Sequence, residues 1–172
     1  NLLGLIYEEW NDFDKSKEYH LKSLDLNRKA NKVYDMAYNY NSLGALYLKM
    51  NKIDEAVGFF MKSLTLREQI RDEDGMSQSY VNLGNCVHRS GDYVKELEYY
   101  SKALPIARKL GNINRLSIIS QALGEIYSDK AQFSKADSLL QDALAIARQV
   151  NNKKVLRNIY GSLIAMEQRR HG

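Results

Sequence analysis

Apolar residues recur along this chain at helical spacing and then stop at short polar dipeptides. Met36, Tyr40, Leu43, Tyr47 and Met50 lie three or four residues apart, the interval that stacks side chains on one face of a helix, and the run ends at Asn51-Lys52. A second run of the same kind, Ile53, Ala56, Phe60, Ser63 and Leu64, follows at once. Forty residues on, the same long pattern is broken by Gly91-Asp92, and forty beyond that by Ala131-Gln132. Two amphipathic helices on either side of a break this short predict a helical hairpin, used over and over.

Set in rows of forty, the chain aligns without a gap. One column reads Leu3, Leu43, Leu83, Leu123, Leu163, and the next Gly4, Gly44, Gly84, Gly124, then Ile164. Tyr7, Tyr47, Val87 and Tyr127 follow three residues later. The second half of each row opens on Phe13, Ile53, Tyr93 or Phe133 and carries a mostly small column, Ser16, Ala56, Glu96, Ala136. A bulky column, His20, Phe60, Tyr100, Leu140, precedes Ser23, Ser63, Ala103, Ala143 and an unbroken Leu24, Leu64, Leu104, Leu144. The glycines predict the point where the two helices of a hairpin cross closely, since a side chain there would push the axes apart. A single hairpin cannot bury both of its apolar faces, so each needs a neighbour and the hairpins stack. The expected organisation is one array over residues 1–172, with repeats at about 1–32, 33–72, 73–112 and 113–152 and a terminal first helix at 153–170 that lacks its second.

Composition supports helix and removes most chemistry. The 172 residues are 44% hydrophobic and 27% charged, enough apolar material for a packed all-α fold, and one proline with ten glycines leaves little for the turns of a β protein. A lone Cys86 excludes an internal disulfide and a cysteine zinc site, and His20, His88 and His171 have no metal-ligand spacing. No phosphate-cradling glycine loop and no Ser or Cys with a recognisable base is present, so no catalytic residue, metal or cofactor is expected, and no enzyme. Cys86 shares its column with Ile6, Leu46, Ile126 and Met166 and reads as a buried small apolar group; His20 reads as a packed core ring. Pro105 should remove a backbone bond to Ser101 and bend its helix locally, and the acids of Arg71-Asp72-Glu73-Asp74-Gly75 should open one.

The net charge of +4 is mild and its bases are interleaved with acids, which does not call for nucleic acid. From Arg148 onward Arg148, Lys153, Lys154, Arg157, Arg169 and Arg170 face only Glu167, a solubilising end or else a contact for a membrane surface or polyanion. No run is long enough to span a bilayer, so no membrane insertion is expected. The opening Asn-Leu-Leu-Gly-Leu, with no Met and no charged leader, carries no address and looks like an excised fragment. A soluble protein is implied and its compartment stays unknown, the cytoplasm being slightly favoured.

The succession Leu-Gly-x-x-Tyr, then Phe or Tyr, Ala, an aromatic and Ala-Leu resembles the tetratricopeptide repeat (TPR) over the whole chain. It departs from the standard repeat in its period of forty instead of thirty-four and in the missing late proline, whose place is held by Arg28, Glu68, Arg108 and Arg148. The long form is similar to repeats of kinesin light chains, of bacterial peptide-pheromone receptors and of the sensor halves of some bacterial transcription regulators and histidine kinases. The resemblance implies a right-handed α-α superhelix whose first helices line a concave groove for an extended or helical peptide. The stripe those helices leave unused in the core holds Tyr38, Asn41, Ser42, Ala45, Leu48 and Lys49, then Gln78, Val81, Asn82, Asn85, His88 and Arg89, then Ile118, Gln121, Ala122, Glu125, Ser128 and Asp129. The candidate peptide-binding groove is therefore Tyr38, Asn41, Lys49, Gln78, Asn82, Asn85, His88, Arg89, Gln121 and Glu125. Carboxamides donate to and accept from a peptide backbone at once, and Tyr38 offers stacking area. The column Glu9, Lys49, Arg89, Asp129 either receives an acidic group at its centre or pairs with itself across repeats. Two classes of function follow: a non-catalytic scaffold for a protein or peptide segment, and a ligand-sensing regulatory domain fused to an effector outside this stretch.

Overall fold

A computed structural model describes residues 2–149 and 151–171 and consists of nine helices, with no strand among the described residues. They are α1 (Leu2–Glu9), α2 (Phe13–Lys29), α3 (Val33–Lys49), α4 (Ile53–Gln69), α5 (Glu73–Ser90), α6 (Tyr93–Lys109), α7 (Ile113–Asp129), α8 (Phe133–Gln149) and α9 (Lys153–His171). The second helices α2, α4, α6 and α8 each begin forty residues after the last, on the aromatic or apolar column that opens the half-row.

The breaks are built from backbone chemistry. Asn11, Asn31, Asn51, Arg71, Ala131 and Asn151 take positive φ between 51° and 60°, and Gly91 and Gly111 take 77° and 63°, so a left-handed residue ends each helix and turns the chain. Asparagine predominates because its short polar side chain tolerates that region better than most. The next helix is then capped: the Asp72 carboxylate accepts from the Gly75 amide at 3.0 Å, as the acidic start signal predicts, and Asn112 accepts from Arg115 at 3.1 Å. Pro105 sits exposed inside α6, which continues through it.

The chain forms two compact units that divide between Asp92 and Tyr93. In the first unit, α1 to α5, each helix packs on the next, around Ala37, Leu43, Leu46, Ala56, Phe60 and Leu64, all buried. In the second, α6 to α9, α7 packs on α6, α8 and α9, around one cluster of Ala143, Leu144, Ala147, Val155 and Ile159 and another of Ala136, Leu140 and Met166.

The glycine column works as the sequence requires. A Cβ on Gly44 would lie 2.6 Å from the Phe60 ring, and one on Gly4 would lie 2.7 Å from the ring of His20, which is fully buried. At Gly124 the same atom would meet the Leu140 side chain at 3.3 Å, a looser fit against a more pliable group. The bulky column is thus the filling of the glycine notch.

The seam between each second helix and the first helix after it differs between the units. In the first unit it is polar: Asn27 donates to Asn39 at 2.7 Å and Asn39 to Ser23 at 3.0 Å, while buried Arg67 donates to the Gly75 carbonyl and, at 3.1 Å, to Ser79, with Asp72 3.8 Å away. In the second unit the equivalent positions are Ala107 with Ile119 and Ala147 with Ile159, all buried and apolar.

Candidate functional site

The candidate groove falls mostly in the first unit. Tyr38, Asn41 and Lys49 stand on α3 and Gln78, Asn82, Asn85, His88 and Arg89 on α5; Gln121 and Glu125 stand on α7 of the second unit. Tyr38, Lys49, His88 and Arg89 are exposed, and Asn41, Gln78, Asn82 and Asn85 are half-buried. In the second unit Gln121 is half-buried and Glu125 exposed.

Side chains link neighbouring first helices in one register. Asn82 Nδ2 donates to Asn41 Oδ1 at 2.8 Å, Arg89 donates to the Leu48 carbonyl at 3.1 Å, and Lys49 Nζ lies 2.5 Å from Glu8 Oε1. In each case the later residue is forty-one positions after the earlier one. The helices are therefore offset by one residue from the forty-residue columns, and Lys49 meets Glu8 while Glu9 stays exposed. In the second unit Arg169 and Asp129 approach within 3.4 Å, forty positions apart.

These links settle what each side chain has left to offer. Arg89 also reaches Asn51 Oδ1 at 2.5 Å, so its guanidinium spans the C-terminal end of α3 and leaves one flank outward. Having accepted one hydrogen bond, Asn41 retains its amide nitrogen, and Asn82 retains its carbonyl oxygen. A donor and an acceptor held side by side match the two polar groups of a peptide bond.

Glu8 is the residue that the sequence pattern passes over. It is 8% exposed, and its second oxygen lies 3.8 Å from Nε2 of buried His20, so one carboxylate serves both a core histidine and a surface lysine. Burial holds the His20 imidazole below its usual pKa against the opposing pull of Glu8. The signal was present in the column Glu8, Leu48, His88, Ser128, where an acid shares a position with an apolar residue. Cys86 is fully buried and its thiol is pushed up to about 11 by desolvation, which leaves almost no thiolate at neutral pH. Among the described residues no group of His, Cys, Asp and Glu could hold a metal ion, and no helix is long and apolar enough to cross a membrane.

Comparison with known proteins supplies the family context. The tetratricopeptide repeat profile matches residues 35–109 and again 75–149, and a second profile of the same description matches residues 1–29. A comparison with curated protein sequences gives no match. Among solved structures, BtubC (BKLC) from P. vanneervenii is similar with a TM-score of 0.75 and 22% identity, over 88% of this chain and 63% of that one. Aspartyl phosphate phosphatase F from Bacillus subtilis reaches 0.84 at 13% identity, over 91% and 41%. Kinesin light chain-like, nearly identical TPR-like repeats from Podosopora anserina reach 0.71 at 16%, over 98% and 87%. The chain thus spans less than two thirds of the length of the first two, and at these identities the likeness shows the fold.

Proposed function

The chain belongs to the tetratricopeptide repeat family, and on that footing we propose that it is a non-catalytic scaffold presenting the first-helix face of α3 and α5 to a protein or peptide segment. The observation that carries this reading is the linked pair Asn41 and Asn82, which offers a donor and an acceptor to a main chain whatever its side chains. Lys49, with Glu8 holding one side, and Arg89, with Leu48 and Asn51 holding another, supply positive charge fixed in place at modest entropic cost. Tyr38, exposed on the same helix as Asn41, adds an aromatic surface. Gln78, Asn85 and His88 extend the surface along α5, and Gln121 and Glu125 hold the equivalent positions on α7 of the second unit. No nucleic acid, metal or cofactor enters this reading.

The test is selection of random peptides displayed on phage, followed by titration of a selected peptide against variants. Truncating Asn41 to Ala or Asn85 to Ala should weaken binding by about 1 to 3 kcal/mol, because the peptide group it met is left unpaired. Reversing Lys49 and Arg89 to Glu should cost more with an acidic peptide, and with a clear salt dependence. If these variants bind as tightly as the parent while Lys135→Ala on α8 loses affinity, the face is the wrong one.

A second reading, a ligand-sensing part of a larger regulator, draws on the fact that the chain covers 41% of the phosphatase it resembles and 63% of BtubC. A fused helix-turn-helix or kinase segment in the full-length gene would support it, and its absence would count against it.

A further inference from the structure

The second helices carry a feature that the groove reading does not use. In the second unit a hollow of about 400 Å³ lies between α6 and α8 over α7, lined by Arg108, Tyr127, Ser134, Lys135, Leu139 and Asp142. Arg108 of α6 forms an ion pair with Asp142 of α8 across it, so this hollow supplies its own carboxylate. Eighty residues earlier the same positions are Arg28, Tyr47, Asp54, Glu55, Phe59 and Lys62. Where the second unit sets a cation against a carboxylate, the first carries Arg28 on α2 and Lys62 on α4 at the equivalent positions.

Tyr47 of α3 stands between α2 and α4: Lys17 Nζ of α2 lies 5.8 Å from its ring centre and the Phe59 ring of α4 lies 5.0 Å from it. Lys62 Nζ lies over the rings of Tyr40 and Phe59, at 5.8 and 5.3 Å, and Lys52 over Tyr47 at 5.9 Å. In the second unit Arg148 donates to the Tyr160 hydroxyl at 2.8 Å, and Arg28 and Tyr40 occupy the same two positions one hundred and twenty residues earlier. Neither Arg28 nor Lys62 is ion-paired among the described residues. At Gly58, the equivalent of Ser138, nothing lies within 4 Å of where a Cβ would be, so the space beside it is open.

We propose that the first unit has the equivalent hollow between α2 and α4, and that it is a second binding surface for an acidic peptide segment, seating one carboxylate between Arg28 and Lys62 as the second unit seats its own Asp142. Arg28 and Lys62, the latter already held over the rings of Tyr40 and Phe59, form charge-assisted hydrogen bonds to one carboxylate, which relieves their mutual repulsion. A polyphosphate chain, charged at every unit, fits less well than a peptide that can place a single carboxylate between the cations and turn an uncharged stretch of main chain towards Asp54 and Glu55 at the start of α4. The rings, already in contact with each other and with lysines, are not free to stack on bases.

Fluorescence anisotropy of the whole chain with a fluorescein-labelled oligoglutamate peptide tests this, with oligothymidylate and inorganic phosphate as parallel probes and circular dichroism as the check on folding. Lys62→Asp recreates the closed pair of the second unit and should weaken peptide binding by roughly tenfold or more, while Lys29→Ala on the outer side of α2 should leave it unchanged. Asp142→Lys should open the equivalent hollow and raise the number of peptides bound. Peptide binding that is absent in the parent, or unchanged in a folded Lys62→Asp, overturns the proposal. So does oligothymidylate or phosphate that binds tighter than the peptide and is lost in the same variant.

Discussion

Replacing Gly44 by alanine tests how tightly the two helices of a hairpin cross. The added methyl carbon would lie 2.6 to 2.9 Å from three atoms of the Phe60 ring, well inside contact distance. Phe60 is 1% exposed and Leu43 and Ala56 beside it are fully buried, so the ring has nowhere to retreat. Overpacking of this kind costs about 1–3 kcal/mol, and the rigid ring puts this case near the upper end. Alanine recovers about 1 kcal/mol over glycine in a helix. The net loss should be about 2 kcal/mol. Gly124→Ala is the internal control: its methyl meets the branched end of Leu140 at 3.3 Å, a few tenths of an ångström too close, so helix propensity should prevail and stability should hold or rise by up to ~1 kcal/mol. The double variant Gly44→Ala with Phe60→Leu imitates the looser notch and should lose less than the sum of its parts. Urea unfolding followed by circular dichroism measures these variants beside the parent and the single Phe60→Leu. Equal midpoints for Gly44→Ala and Gly124→Ala, or strict additivity in the double variant, would refute the steric account.

Other outcomes follow from the same geometry. Arg67→Ala should cost about 2–4 kcal/mol, because the Gly75 carbonyl and the Ser79 hydroxyl lose their donor and Asp72 its neighbouring cation, and adding Ser79→Ile should return much of it by installing the apolar seam of the second unit. His20 is held below its usual pKa when folded, so the unfolded chain takes up the proton first. Stability should therefore fall as pH drops below about 6.5 towards the folded-state pKa, with no contribution above it. His20→Phe should flatten that limb in a urea series across pH. The Cys86 thiol should react with Ellman's reagent at pH 8 only as fast as the chain opens, and at once in urea.

Much of the fold was legible because the properties that build it are local. Leu43, Leu123 and Gly124 each announce a buried position by recurring at one period, and short breaks at Asn51, Gly91 and Ala131 announce the turns. Contacts between repeats were harder to see. Columns of forty place Lys49 beside Glu9, whereas the helices sit one residue out of step and Lys49 meets Glu8. That offset is a property of how two helices lie against each other, and no single row contains it. The polar seams were visible as the columns Asn27, Arg67, Ala107, Ala147 and Asn39, Ser79, Ile119, Ile159, but their meaning needs both columns read together across a turn. The open cation pair of Arg28 and Lys62 needed the second unit as a template, since nothing in either residue alone marks a site.

The polar seams of the first unit also give each repeat an address. An Ala-Ile interface accepts any neighbour with a smooth face, so repeats joined that way could be duplicated, deleted or exchanged with little penalty. Arg67 accepts only a successor that brings Asp72, the Gly75 carbonyl and Ser79, and Asn39 accepts only a predecessor that brings Ser23 and Asn27. Placing α4 directly before α7 would set that guanidinium against Ile119 and a second cation, Arg115, where Ser79 and Gly75 had stood, with the neutral Asn112 in place of the Asp72 carboxylate. The order of the first three repeats is in this sense written into their interfaces, and recombination that shuffles them meets a barrier that the rest of the array does not raise.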